Sequence, residues 1–330
     1  MEVSKFQDLP TQILQAHQRI NPYIRKTPLE YSPSLTSLGN GSDVFIKLES
    51  EQMTGSFKVR GAFNKILLIA GRGPKSRQKG LITASSGNHG LACLAACKKS
   101  GIPLKVYCQK NVDSGKRKTL EDRGATVVLY GEDCVDAELE ARRVAKHTGV
   151  EYISPYNDYD IIAGQGTISV EILEQLPEVD VILVSVGGGG LIGGIARYAK
   201  QVKPTIKIVG CSPEKSKVMH ESVKAKKLIF EESFDTLSDG TAGSVEDNSV
   251  TFELCRDYVD EWMLVTEEQI GKALVYMMQT HHKIVEGSAG VSLGAFMSNP
   301  EKFKGQKVVI VSCGSNISVS TLQDLLNKYL

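Results

Sequence analysis

A lysine that follows a glycine turn is the first residue of this sequence that could do chemistry. Lys58 stands at the start of a predicted helix in the segment 54–62, TGSFKVRGA, and its neighbours Phe57, Val59 and Ala62 are apolar. A lone lysine is most often a solvated surface charge, but these apolar neighbours favour burial. A buried lysine loses proton affinity, so its amine becomes a nucleophile suited to Schiff-base chemistry with a carbonyl compound.

Four consecutive glycines form the second candidate site. The apolar segment 179–186 leads into them, and a predicted helix follows at Leu191; the four are Gly187, Gly188, Gly189 and Gly190. Residues without a Cβ expose their N–H groups, and the start of a helix attracts anions, so this turn predicts a phosphate site. Glycine also serves tight strand–helix packing, although four in a row exceed that need.

The same glycines have a second interpretation, as a dinucleotide fingerprint. Gly188, Gly190 and Gly193 match the spacing G-x-G-x-x-G. A nicotinamide site requires an acidic residue at the end of the next strand, about 20 residues on. The next predicted strand ends near Ser212, and Glu214 comes after that end. The pattern therefore favours a smaller phosphate ligand.

The third and fourth candidates are polar turns that also lie between a strand and a helix. In segment 83–90, TASSGNHG, we expect Ser85 or Ser86 to cap the helix, but capping does not require two serines, an asparagine and a histidine, and the combination suits a carboxylate. The second turn, VSCGSN at 311–316, offers Ser312 or Cys313 as partner for a ring nitrogen. There the alternative is an ordinary turn in which Ser315 or Asn316 caps the next helix.

Short β-branched runs alternate with amphipathic stretches, and these elements must position the four turns. The predicted strands are 44–48, 81–84, 104–108, 126–130, 179–186, 206–211 and 307–312. The predicted helices are 59–70, 89–100, 115–123, 134–147, 163–176, 191–201 and 316–329. This alternation predicts an α/β fold: two open, mostly parallel twisted sheets flanked by helices, with a cleft between them. Ligands of such sheets bind at the carboxyl ends of the strands.

Composition excludes several classes of protein. The chain has 330 residues, 41% of them hydrophobic and 23% charged, which excludes a disordered chain or a small disulfide framework. Lys and Arg total 39 and Asp and Glu total 38, so the net charge of +1 gives no argument for a nucleic acid or membrane partner. The first residues have no apolar stretch, so we expect no secretory signal, and seven scattered cysteines fit a reduced protein, so we expect a cytoplasmic location.

A phosphate cup, a buried lysine and an anion-binding turn together describe a pyridoxal 5′-phosphate site. On these motifs the chain resembles the fold-type II pyridoxal-phosphate enzymes, and within them the serine/threonine dehydratase and serine racemase family. The matching motifs are GSFKVRGA at 55–62, SSGNHG at 85–90, AGQGT at 163–167, GGGG at 187–190, EGSAG at 286–290 and GSNIS at 314–318. The resemblance implies the fold of the tryptophan synthase β subunit, with the active site in the interdomain cleft.

The resemblance also implies roles for individual residues around the cofactor. Lys58 would bond covalently to the cofactor and move the proton at the substrate Cα, and Phe57 would pack on the pyridine ring. Asn88 would hydrogen-bond the ring 3′-oxygen, and Glu286 would lie near the ring. The phosphate would be held by Gly187, Gly188, Gly189 and Gly190. For the ring nitrogen the choice stays between Ser312, which aligns better with GSNIS, and Cys313.

The resemblance places the amino-acid substrate beside the same turns. The substrate-binding residues would be Ser85, Ser86, Asn88, His89 and Gly240. The implied reaction is dehydration and deamination of L-serine, L-threonine or a related β-hydroxy amino acid to a 2-oxo acid and ammonia. Racemisation is the alternative, because Ser86 could act as the second acid/base on the opposite face of the cofactor.

The resemblance finally implies an organisation of the whole chain. Residues 1–50 and 151–330 would form the large cofactor-binding domain and residues 51–150 the small one. A homodimer is expected. No metal site is expected, because Ser212 occupies the position at which metal-activated relatives carry a glutamate. The chain ends near the final predicted helix, so we expect no regulatory domain.

Overall fold

The computed structural model describes residues 6–330, which form an α/β fold with two sheets. Within those residues the strands are β1 (Leu29–Tyr31), β2 (Asp43–Leu48), β3 (Leu81–Ala84), β4 (Leu104–Cys108), β5 (Thr126–Leu129), β6 (Glu151–Tyr152), β7 (Val181–Ser185), β8 (Lys207–Pro213), β9 (Glu261–Val265) and β10 (Lys307–Ser312). The larger sheet has the order β1-β2-β10-β7-β8-β9, and the smaller one has the order β5-β4-β3-β6. Only β1 pairs antiparallel to its neighbour; the other pairings are parallel.

Helices cover both sheets. They are α1 (Leu9–Ile20), α2 (Pro33–Leu38), α3 (Lys58–Gly71), α4 (Pro74–Gln78), α5 (Asn88–Ser100), α6 (Ser114–Asp122), α7 (Cys134–Thr148), α8 (Tyr159–Gln175), α9 (Gly190–Val202), α10 (Val218–Lys224), α11 (Val250–Tyr258), α12 (Glu267–His281), α13 (Gly287–Ser298) and α14 (Val319–Tyr329). None of the helices described is both long and apolar enough to cross a bilayer.

The central strands explain where the functional turns meet. All five residues of β7 are buried, as expected for a parallel strand covered on both faces. Strand β10 lies between β2 and β7, with Val308 opposite both Val44 and Val181. Parallel neighbours end at the same edge of a sheet, so the turn after β7 and the turn after β10 lie side by side.

Close contact between two helices fixes the start of α3. Gly61 of α3 faces Gly164 of α8, and a Cβ added to Gly164 would lie 2.4 Å from the Cα of Gly61. No larger residue fits such an approach of backbone to backbone. The Gly61 N–H also donates to Oε1 of Gln165 (3.1 Å). The first turn of α3, which carries Lys58, is therefore held against α8.

The predicted α/β class with two mostly parallel sheets is confirmed, and all seven predicted strands are present. Strand β8 runs two residues further than predicted, so Glu214 follows it directly. The sequence disfavours a nicotinamide site on the assumption that this strand ends too far before Glu214. That predicted strand end was wrong. Strand β6 pairs with β3 and so belongs to the smaller sheet. It lies just beyond residue 150, where the division into domains was predicted, and that division stays a prediction.

Candidate active site

The amine of Lys58 lies in the interior at the first position of α3. Its Nζ donates to the carbonyl oxygen of Pro155 (2.8 Å) and lies 5.2 Å from the centre of the Phe57 ring. Burial lowers the pKa of this amine to about 8, against which Cys93, Cys313 and Glu286 act weakly in the opposite direction. About a tenth of the amine is thus unprotonated at pH 7, far more than for an exposed lysine, and the unprotonated form is the nucleophile.

The four-glycine turn forms the N-terminus of α9 and leaves no room for side chains. A Cβ on Gly187 would lie 2.7 Å from the carbonyl oxygen of Thr241, and one on Gly188 would lie 2.6 Å from the Tyr156 ring. Gly189 has φ +82°, in the left-handed region. The backbone thus packs directly on Tyr156 and Thr241. Its N–H groups gather at the positive end of a 13-residue helix, where a phosphate is favoured.

Contacts with Pro155 and Tyr156 connect the lysine to the glycine turn. Pro155 accepts the hydrogen bond from Lys58, and the next residue, Tyr156, packs against Gly188 and Gly190. The Tyr156 hydroxyl accepts a hydrogen bond from the backbone N–H of Glu246 (3.0 Å), which holds the ring in place. The reactive amine and the anion cradle are therefore two sides of one site.

The Ser85–His89 turn leads from β3 into α5, and neither serine caps the helix. The N-cap is Gly87, whose N–H donates to Oγ of Ser85 (3.2 Å). The ring of His89 lies with Nε2 3.1 Å from the carbonyl oxygen of Ile153, and burial lowers its pKa to about 3, helped by the charge of Lys58. The capping alternative for Ser85 or Ser86 was wrong, and the first N–H groups of α5 stay available to a carboxylate.

Asn88 and Glu286 meet between the two sheets. Nδ2 of Asn88 donates to Oε1 of Glu286 (2.8 Å), and the backbone N–H of Asn316 donates to Oε2 of the same carboxyl group (3.0 Å). Glu286 is 4% exposed, and burial raises its pKa to about 7. The contact between Asn88 and Glu286 therefore gives the site a carboxyl group whose pKa is raised to about 7.

The two candidates for the ring nitrogen face different surroundings. Oγ of Ser312 lies 3.1 Å from Oγ of Ser50, in the interior. The Cys313 thiol interacts electrostatically with Glu286 and Lys58, and its carbonyl oxygen accepts the N–H of Phe57 (3.0 Å). Burial raises the pKa of this thiol well above its usual value, so it stays neutral. Of the two side chains, the Cys313 thiol is the one that interacts with the reactive Lys58.

Gly240 completes the ring of contacts. A Cβ on Gly240 would lie 2.6 Å from Oγ of Ser288 and 3.8 Å from Oε1 of Glu286, and the next residue, Thr241, packs against Gly187. The structure thus brings Asn88, Glu286, Gly240 and the turn at Gly187 together from places far apart in sequence, whereas Ser312 faces Ser50. Sequence reasoning missed Tyr156, Thr241 and the contacts of Asn316. The sequence carried no clear signal for Tyr156, because β6 before it was not predicted and its glycine partners lie more than 30 residues away.

Known proteins are similar to this chain over most of its length. The family described as pyridoxal-phosphate dependent enzymes matches residues 20–314. An L-threonine ammonia-lyase of Thermotoga maritima is 36% identical over 318 residues, which cover 96% of this chain and 78% of that protein.

Solved structures of related proteins share the fold over nearly the whole chain. A processed threonine deaminase isoform 2 of Solanum lycopersicum has a TM-score of 0.92 at 29% identity, covering 99% of this chain and 89% of that one. A maize serine racemase has a TM-score of 0.87 at 33% identity, covering 97% and 98%. With a family match over most of its length and a half-buried lysine beside a glycine turn, the chain belongs to the pyridoxal-phosphate dependent enzymes.

Proposed function

We propose that this protein is a pyridoxal-phosphate dependent ammonia-lyase that converts L-threonine, L-serine or a related β-hydroxy amino acid to a 2-oxo acid and ammonia. One observation carries the proposal: the interior amine of Lys58, with its pKa lowered to about 8, lies beside an anion cradle. The threonine ammonia-lyase of Thermotoga maritima, which shares 36% of its residues, supports this reaction.

The residues present fit the cofactor. Gly187, Gly188 and Gly190 let the turn pack directly on Thr241 and Tyr156, and the N–H groups at the N-terminus of α9 favour the phosphate. Phe57 adjoins the lysine, where its ring can pack on the pyridine. When bound, pyridoxal phosphate supplies an electron sink that makes the substrate Cα–H acidic and allows the β-hydroxyl group to leave.

Lys58 serves as the base at Cα in this proposal. With the cofactor held through the substrate amino group, the amine of Lys58 would be free to accept the Cα proton. A base is most effective when its pKa lies near the working pH, and a value of about 8 meets that condition. The turn of Ser85 and Ser86, with the uncapped start of α5, would orient the substrate carboxylate.

We propose Cys313, rather than the first-ranked Ser312, as the partner of the ring nitrogen. Ser312 bonds to Ser50, whereas the thiol of Cys313 is on the side of Lys58 and Glu286. A neutral thiol cannot keep the pyridine nitrogen protonated as an aspartate would. The electron sink is then weaker, which favours prompt loss of the β-hydroxyl group over transamination.

The lowered pKa of Lys58 gives a testable pH dependence. Below pH 8 the neutral fraction of the amine falls about tenfold per unit, so the rate at which the apoprotein binds pyridoxal phosphate covalently should rise from pH 6 and level off above 8. Violet absorbance after mixing measures this rate. Nα-acetyl-lysine, whose amine has a pKa near ~10.4, is the control and should keep accelerating to pH 10. An apoprotein that also accelerates to pH 10 would contradict an activated Lys58.

Racemisation is the second candidate function, favoured by the similarity to maize serine racemase and by the presence of Ser86 in the turn. Incubation with L-threonine, L-serine and D-serine, following both oxo acid and enantiomer ratio, separates the two functions. We expect oxo acid from the L-substrates to form faster than the enantiomer. Dominant inversion with little oxo acid would make the protein a racemase.

Replacement of Ser86 tests its role as the second acid/base. S86A should lower inversion about 100-fold, as expected when a general acid/base is lost, and change elimination of L-substrates less than about tenfold. Ser100→Ala, at the other end of α5, is the control, since the Ser100 hydroxyl is buried without a hydrogen-bond partner. Equal loss of both reactions in S86A would exclude the assignment of two bases.

A homodimer in the cytoplasm completes the proposal. The cysteines described are all free, which fits a reducing compartment. Tyr31, Met53 and Ile284 expose 45%, 46% and 51% of their surfaces, and apolar residues of this size suit a contact with a second copy. Light scattering of the purified protein should give a mass of two chains; a monomer at micromolar concentration would contradict the dimer.

A further inference from the structure

The side chain of Asn316 joins three segments of the site. Its Nδ2 donates to the carbonyl oxygen of Thr54 (2.9 Å) and to Oδ1 of Asn88 (2.6 Å). Its backbone N–H donates to Glu286 (3.0 Å). Gly55, with φ +74°, leaves space for it, because a Cβ there would lie 2.6 Å from Oδ1 of Asn316. Asn316 therefore connects the turn before Lys58 to the start of α5 through its side-chain amide, and it bonds the buried carboxyl group through its backbone N–H.

These contacts determine which way the amide of Asn316 is turned. Both partners of Nδ2, a backbone carbonyl and the Asn88 oxygen, are acceptors. A turned amide would set its own oxygen against the carbonyl oxygen of Thr54, and two acceptors repel. Asn316 therefore presents a donor to Asn88.

The orientation of Asn316 in turn determines that of Asn88. With its oxygen facing Asn316, Asn88 directs Nδ2 to Glu286 (2.8 Å), and one of the two Nδ2 hydrogens remains. Glu286 alone does not decide this orientation. Because burial raises its pKa to about 7, its protonated form could donate to a turned Asn88 oxygen equally well.

We propose that Asn316 is a positioning residue that makes Asn88 offer a hydrogen-bond donor to the ring 3′-oxygen of pyridoxal phosphate. The inference rests on the proposed function, since it concerns the cofactor of that same site. A donor at the 3′-oxygen stabilises the form of the bound cofactor that carries negative charge on that oxygen, and this form absorbs in the violet. An acceptor there would favour the near-ultraviolet form.

Spectra and cofactor affinity of the purified holoenzyme test the proposal. N316A and N316D should each lower the ratio of violet to near-ultraviolet absorbance at least about twofold and weaken cofactor binding about fivefold, the effect of one hydrogen bond. N88A should give the same spectral change, and N88A/N316A should add nothing to it. The control is S315A, which loses the bonds of Ser315 to Ser50 and Gly55 in the same turn without touching Asn88.

The outcomes separate this inference from the proposed function. If S315A and N316A change the spectrum equally, or if N88A and N316A act additively, Asn316 only stabilises the turn and the inference is wrong. An unchanged spectrum in N316A also overturns it. If the wild type takes up no pyridoxal phosphate, the proposed function itself fails.

Discussion

Replacement of Lys58 by alanine is expected to abolish conversion of L-threonine and L-serine, with kcat falling about 10⁴-fold or more. The amine has two tasks, covalent attachment of the cofactor and proton transfer at Cα, and loss of a general base alone costs about 10²–10⁴-fold. Its replacement removes an interior amine whose hydrogen bond goes to Pro155 (2.8 Å). The loss should therefore appear in catalysis more than in folding.

Covalent chemistry gives an independent measure of the same prediction. Borohydride treatment of the wild type should fix the cofactor on the peptide that contains Lys58, and mass spectrometry should find no such adduct in K58A. Lys98→Ala is the control, because this lysine lies exposed on α5. An adduct on another lysine, or turnover in K58A within tenfold of the wild type, would remove Lys58 from the mechanism.

The strands that precede the polar and glycine turns were predicted correctly from the sequence because each signal is local. Strands β3, β4 and β10 have the predicted bounds, since apolar β-branched runs bounded by glycine or polar turns define a strand without tertiary information. The lysine turn and the glycine turn were found in the same way. Their type and spacing alone predicted a nucleophile and an anion cradle.

Other elements gave weak local signals. Strand β6 has two residues and β1 has three, too short for a period to show. Helix α13 is rich in small residues and buried over most of its length, so it has no polar face to reveal a helical period. Helix α12 did carry a signal, the capping box of Thr266 and Gln269, which the sequence reasoning did not use.

Tertiary contacts decide what the individual glycines do. Gly193 belonged to the dinucleotide pattern, yet a Cβ there would lie 3.1 Å from Leu254 of α11, and one on Gly194 would lie 2.5 Å from the carbonyl oxygen of Ile162. These two glycines therefore allow α9 to pack closely on its neighbours. Sequence spacing cannot separate a glycine that faces a ligand from one that faces another helix.

A buried cluster of four charged side chains is expected to stabilise the fold. Arg60 is fully buried and bonds to Glu49 (2.7 Å) and to Glu171 (2.7 Å), and Lys47 bonds to the same Glu171 (2.6 Å). Burial alone would raise the pKa of Glu171, but Arg60 and Lys47 outweigh it and hold that pKa below its usual value. The two cations and two anions balance, so removal of one cation leaves a carboxylate uncompensated.

R60M should lower the free energy of unfolding by about 3–5 kcal/mol, the cost of breaking a buried ion pair from one side. Urea denaturation of the holoenzyme, followed by circular dichroism, measures this loss. Arg72→Met is the matched control at the end of the same helix. Arg72 pairs with Glu151 at the same kind of distance (2.8 Å), but its side chain is 52% exposed, so its loss should cost less than ~1 kcal/mol.

A second substitution separates charge from packing. If the cost of R60M comes from the uncompensated carboxylate, R60M/E171Q should recover part of the stability, because glutamine removes the charge at nearly the same volume. If the cost comes from lost packing, the double variant should be no more stable than R60M. Arg60 and Lys58 are two residues apart on the first turn of α3, so their side chains lie on opposite sides of the helix. The ion pairs of Arg60 therefore fix the turn that carries the reactive amine. Equal free energies of unfolding for R60M and R72M would contradict a stabilising role for this cluster of charges.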